Sequence, residues 1–143
     1  MTLDELRVGE TFSARVVDNL SRTQIVQYAG ASGDYNPLHS DEVYATQVAG
    51  YRSIFAHGML TMGLTGRVLT DAFGADRIAS FGVRFVDQVW PGDTLDVTAT
   101  VVALRQEGER RLADLDLKTT NQDGVEVMSG RASVRLDSPS NQS

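Results

Sequence analysis

Asp34 and His39 are the two residues of this 143-residue chain best suited to moving a proton. A carboxylate and an imidazole that face one water make a general base. Five positions apart, they would point in different directions on a regular helix or strand. The intervening Asn36 and Pro37 change that geometry. Pro37 pushes Asn36 out of the helical region, and Gly33, Asp34 and Asn36 all favour turns, so residues 32–39 are expected to form an irregular segment that brings both side chains onto one small target. Taken singly, Asp34 reads equally well as a turn or cap, Asn36 as a turn residue and His39 as a surface histidine. Their clustering within one polar run, YAGASGDYNPLHSDEVYA at 28–45, favours a site.

Few other groups compete for the chemistry. Zero cysteines remove disulfides, thiolate nucleophiles and cysteine-based metal sites. The two histidines, His39 and His57, fit no dependable metal-ligand spacing with Asp34, so no metal and no cofactor are expected. Gly58 stands where an apolar helical pattern begins. Backbone N–H groups there are unpaired and attract negative charge, which makes Gly58 a candidate oxyanion donor; the neighbouring His57 reads as a structural histidine. Thirteen basic against nineteen acidic residues give a formal charge of −6, so neither nucleic acid nor an anionic membrane is an expected partner. A few local arginines can still hold a phosphate.

The elements that must position these groups follow from periodicity. Residues 8–17 alternate loosely, as a half-buried strand does, and Ser21-Arg22-Thr23-Gln24 reads as a capping box opening a helix that Gly30 and Gly33 end. That helix delivers the chain into the Asp34–His39 loop. Ser40-Asp41-Glu42 caps a short helix through Ala45, and a crossing loop follows near Gly50. Residues 58–73 carry Met59, Met62, Val68, Leu69 and Phe73 near helical spacing, a central helix whose internal Gly63 and Gly66 imply close approach to a sheet or ligand. Period-two segments then run through 81–85, 95–103, 113–119 and 125–136, with turns at Pro91-Gly92-Asp93 and Asn121–Gly124, and these read as consecutive antiparallel strands. The sum is one α+β domain over 1–136, with an apolar helix under a sheet and a disordered tail at 137–143. Mean hydropathy of −0.19 fits an ordinary globular chain, and the start MTLDELRVGE shows no targeting pattern, so the cytoplasm is the expected location.

SGDYNPLH at 32–39, FAHGML at 55–60 and RFVDQVWPGD at 84–93, with Val8-Gly9 upstream, resemble the signature of the MaoC-like (R)-specific enoyl-CoA hydratases, the hydratase 2 family. The stretch FAHGMLTMG is similar to the catalytic subunit of mycobacterial-type 3-hydroxyacyl dehydratases. The resemblance implies a single hot-dog fold, an antiparallel sheet wrapped around a central helix. It further implies that Asp34 and His39 activate water, that Asn36 holds the loop, and that Gly58 offers its N–H to a thioester oxygen. Thr65 matches a hydroxyl position near the active site of some members. The residues around 40–53 would form the overhang over one mouth of an acyl tunnel. The implied substrate is an acyl-CoA or acyl-carrier-protein thioester, and the implied assembly a homodimer, or a heterodimer with a related hot-dog chain.

Three other functions compete with this one. A hot-dog thioesterase needs an acidic residue on the central helix, which offers only Asp71, near its end. A non-catalytic partner subunit has no use for Asp34, Asn36, His39 and Gly58 together. A metal-dependent hydrolase built on Asp34, His39 and His57 ranks last.

Overall fold

The computed structural model describes residues 3–137. Five strands, β1 (Thr11–Val17), β2 (Ile78–Phe85), β3 (Leu95–Glu107), β4 (Arg110–Thr120) and β5 (Glu126–Arg135), form one antiparallel sheet in the order β1-β3-β4-β5-β2. Two helices accompany it, α1 (Arg22–Ser32) and α2 (Gly58–Phe73). This is the hot-dog arrangement, with α2 packed against β1, β2 and β5. The expected tail falls, from 138 on, outside the described residues. Asp137 is tied down, accepting from the Arg111 N–H at 3.0 Å through its carboxylate and from the Arg77 guanidinium at 2.8 Å through its carbonyl.

The inner face of the sheet and the buried face of α2 share one apolar interior. Leu95, Val97, Ala99 and Val101 alternate inward from β3, Leu115 and Leu117 from β4, and Ala132 and Val134 from β5. Val68, Leu69 and Phe73 of α2 meet them at one end, and Leu60 and Leu64 join Leu95, Val127 and Met128 at the other. Burial of each such large side chain contributes about 1.5–3 kcal/mol, which is why the weakly amphipathic sequence of α2 still holds its place. Among the described residues, no helix is long and apolar enough to cross a membrane.

Strand neighbours differ from the expected run of consecutive partners. β3, β4 and β5 do form a meander, closed by the Asn121–Gly124 turn, where Gly124 takes φ 76° and the Asn121 Oδ1 accepts from the N–H groups of Asp123 and Val125. β2 instead lies at the far edge beside β5, while β1 pairs with β3. The cause is the connection 86–94. It leaves β2 with the Val86 N–H bonded to the Val127 carbonyl at 2.9 Å and takes the Ala56 N–H on the Val89 carbonyl at 2.8 Å. It then turns at Gly92 with reciprocal bonds between Leu20 and Gly92-Asp93, and so hands the chain from one sheet edge to the other.

The two interior glycines of α2, Gly63 and Gly66, part company. A Cβ on Gly66 would lie 3.2 Å from the Phe81 ring and one on Gly58 about 3.0 Å from the Phe85 ring, whereas nothing stands within 4 Å of the same position on Gly63. Eight helical residues advance about 12 Å and four strand residues about 13 Å. Gly58 and Gly66 therefore sit in step with Phe85 and Phe81 of β2, and this glycine-on-aromatic register seats the helix against the sheet edge.

Candidate active site

α1 delivers the chain to the site as its sequence predicts, although Gly30 stays inside the helix and Gly33 alone ends it. Ser21 caps the start by accepting from the Gln24 N–H at 3.0 Å, and Gly33 stops the helix in the left-handed conformation at φ 77°. A ladder of short-range bonds then fixes the loop. The Asp34 N–H donates to Ser32 Oγ (3.2 Å), the Asn36 N–H to Asp34 Oδ1 (3.3 Å), and the Leu38 N–H to Asn36 Oδ1 (3.0 Å). Pro37–His39 is a 3-10 turn that the Asn36 side chain caps, and the His39 N–H closes it on the Asn36 carbonyl at 3.0 Å. The Asn36 side chain is therefore the cap of this turn.

A second pass of chain, residues 54–57, lies against this loop. The Phe55 N–H donates to the Leu38 carbonyl at 3.2 Å, and the Phe55 carbonyl faces His39 Nδ1 at 2.6 Å. A carbonyl only accepts, so His39 Nδ1 carries the proton and Nε2 keeps a free lone pair. His39 is 9% exposed. Burial above all lowers its pKa below the ordinary 6.5, and the neighbouring His57 lowers it further, against the opposing pull of the Phe55 carbonyl and of Asp34. The ring is therefore a neutral base at neutral pH. The segment that follows the loop begins at Asp41, which caps the Tyr44 N–H at 3.1 Å, and passes through a π-helical turn, Tyr44–Val48. Glu42 ties it down, pairing with Arg22 at 2.7 Å and accepting from the Ile54 N–H at 3.3 Å.

Asp34, His39 and His57 each place one polar atom within 4.8 Å of the others, the one such group of three potential metal-ligating side chains among the described residues. Two of the histidine nitrogens in this group are already engaged. His39 Nδ1 faces the Phe55 carbonyl, and His57 Nε2 faces the Asp34 carbonyl at 3.0 Å. The His57 ring stacks on His39 with centroids 3.8 Å apart and planes 23° from parallel, and its Nδ1 has no hydrogen-bond partner among the described residues. Leaving a buried acceptor unpaired costs about 1–3 kcal/mol. Sequence reasoning reads His57 as structural and misses its place here; the available signal was that it is one of only two histidines and directly precedes Gly58.

Gly58 is the first residue of α2, and its N–H and that of Met59 have no helical carbonyl to bond. It opens on a cavity of about 240 Å³ whose lining includes Phe55, Thr61, Phe85, Val89 and Val127. Phe85, half exposed on the edge strand, is a further neighbour that the sequence pattern does not single out. Thr65, one helical turn beyond Thr61, is 1% exposed and shares a 2.8 Å hydrogen bond with Thr119 of β4. A concavity of about 1100 Å³ over the outer face of the sheet contains none of these residues.

The family described as MaoC like domain matches residues 5–122. The 3-hydroxyacyl-thioester dehydratase Y of Mycobacterium tuberculosis is 40% identical over 99 residues, which cover 67% of this chain but 32% of that protein, so the chain spans about a third of its length. The (R)-specific enoyl-CoA hydratase of Aeromonas caviae is 30% identical over 138 residues, covering 95% of this chain and 99% of that one. The solved (R)-hydratase of A. caviae superposes with a TM-score of 0.80 at 26% identity, over 93% of this chain and 98% of the other. Fold, matched span and full-length relative agree: this chain belongs to the MaoC-like hydratase and dehydratase family.

Proposed function

We propose that the chain catalyses (R)-specific hydration of trans-2-enoyl thioesters, or the reverse dehydration of (R)-3-hydroxyacyl thioesters, on CoA or an acyl carrier protein. The observation that carries this reading is that the Asp34 carboxylate and the His39 ring stand in one group with His57, the N-cap of α2, while the Phe55 carbonyl occupies His39 Nδ1 and leaves Nε2 to act. Asp34 and His39 hold a water and take one of its protons. The water oxygen bonds to the β-carbon, and the π electrons move toward the thioester oxygen. There the Gly58 N–H stabilises the negative charge, a contribution of about 3–4 kcal/mol in comparable sites. The α-carbon then receives a proton on the same face, so that one water has added syn. Asn36 maintains the loop. Thr65, at the family's hydroxyl position, is held by its hydrogen bond with Thr119.

A thioesterase reading finds little support, because Asp71 is exposed on the last turn of α2, about 20 Å along the helix from Gly58. The assembly we propose is a homodimer, with a heterodimer as the second form. β1 and β2 leave two open sheet edges, and unprotected edges favour pairing with another chain. A hydration assay across enoyl-CoA chain lengths, repeated with carrier-protein thioesters, tests the activity. Loss of the enoyl absorbance with the thioester intact is the expected result, and thiol release without hydration would move the protein to the thioesterases.

A further inference from the structure

We propose that His57 is a positioning residue of this site, its Nε2–H holding the Asp34 carbonyl while its ring face supports the His39 imidazole. The inference rests on the hydration reading above and assigns a role that neither the loop motif nor the helix start supplies by itself.

The backbone and side chain of His57 do different work. Its backbone occupies the N-cap position of α2, with φ −61° and ψ 138°, and its carbonyl accepts from the N–H groups of Leu60 and Thr61 at 3.0 and 3.3 Å. That sets where the helix begins and hence where the Gly58 N–H points. An N-cap side chain commonly turns back to bond the first free N–H groups. The His57 side chain makes no such bond. It reaches across to the loop and meets the Asp34 carbonyl at 3.0 Å. Because that partner is a carbonyl, Nε2 must carry the proton, and Nδ1 is then a bare acceptor, buried and without a partner among the described residues.

The neighbours of the ring leave it little freedom. His39 stacks on one side at 3.8 Å, and the Tyr28 ring of α1 meets it edge-on at 4.8 Å. His57 is only 2% exposed. One residue therefore joins three parts: the loop carrying Asp34, the imidazole of His39 and the first turn that presents Gly58. The separation between base and oxyanion donor is set through it. A misplacement of about 1 Å in such a pair can cost about a hundredfold in rate. A phenylalanine would fill the space and keep the stack with no orphaned nitrogen, so the hydrogen bond to Asp34 is what distinguishes histidine here.

The test uses the whole protein and three forms of it: wild type, His57→Phe and His57→Gln. The phenylalanine keeps the ring and loses the donor; the glutamine amide nitrogen reaches the place of Nε2 and restores the donor without the ring. We expect His57→Phe to lower kcat about tenfold or more with KM nearly unchanged, and His57→Gln to recover most of that loss, at melting temperatures near wild type. Wild-type kcat in His57→Phe, or equal loss in both variants with equal loss of thermal stability, overturns the proposal. Nitrogen-15 histidine spectra read the same contact without turnover. With two histidines the assignment is direct, and His57 should show the Nε2–H tautomer and His39 the Nδ1–H tautomer at neutral pH. The Nδ1–H form for His57 overturns the proposal. Failure of the hydration reading is separately visible, as wild-type protein inactive on every enoyl thioester before any variant is compared.

Discussion

In the proposed reaction Asp34 and His39 work as a pair, and their neighbours fix the position of each. The Phe55 carbonyl fixes the His39 tautomer, and the Asn36 and Ser32 bonds fix the Asp34 loop. Asp34→Asn or His39→Gln should each lower turnover about a hundredfold or more, the scale of lost general base catalysis, with melting temperatures close to wild type. Near-normal turnover in either would return both to turn and surface roles. The His39 shift has a definite sign. Its pKa is lowered in the folded protein, so the ring stays unprotonated until the pH drops below the ordinary 6.5, and folding stability contributed by the neutral ring is present above 6.5 and lost as pH falls. The acid limb of kcat/KM should therefore lie below pH 6.5, and a limb above that value would contradict the assignment. Asp34, Asn36 and His39 were legible in the sequence because turn-formers adjacent in the chain generate their geometry locally. His57 was not, because its partner is a backbone carbonyl 23 residues away, and the Thr119 partner of Thr65, 54 residues on, was equally out of sight.

Helix α2 is held to the edge strand by two glycines that admit two phenylalanine rings, and the two contacts differ in their distance from the chemistry. Gly58→Ala retains its N–H but forces the Phe85 ring away from contacts as short as 3.0 Å. Turnover should fall about tenfold, since the shift acts where the oxyanion donor is aimed. Gly66→Ala meets Phe81 at 3.2 Å, two turns further along, and there a helix-propensity gain of about 1 kcal/mol offsets the crowding. It should leave turnover within about twofold of wild type while melting temperature moves only slightly. Equal losses of turnover in the two variants would mean that the register of the whole helix, rather than the Gly58 end, is what matters. The sequence made each helix and strand visible through its period, and it implied close approach at both Gly63 and Gly66. Only Gly66 makes one, because which side of a helix meets an aromatic depends on a strand that periodicity does not place.

For the whole molecule, the local pattern showed five strands but not their neighbours. β2 and β3 follow each other in sequence with an ordinary turn signal at Pro91-Gly92-Asp93, yet residues 86–94 carry the chain between opposite edges, held by bonds to Ala56, Leu20 and Val127 that are remote in sequence. That order leaves β2, with half-exposed Phe85 and Val86 at its end, on an open edge close to Gly58. Light scattering on the purified protein should give a mass about twice the 15.5 kDa of one chain, as expected when an open edge is paired. A fully active species at 15.5 kDa would refute the dimer, and a dimer inactive until a related chain is added would favour the heterodimer.

Stereochemistry decides whether Asp34 and His39 are the base, because the face on which water would meet the enoyl group depends on where they stand relative to Gly58. The product of hydrating a trans-2-enoyl-CoA with the wild-type protein should be resolved on a chiral column. The expected product is the (R)-3-hydroxyacyl thioester, lost in both Asp34→Asn and His39→Gln; an (S) product, or free thiol with no hydroxyacyl thioester, would refute the hydration reading.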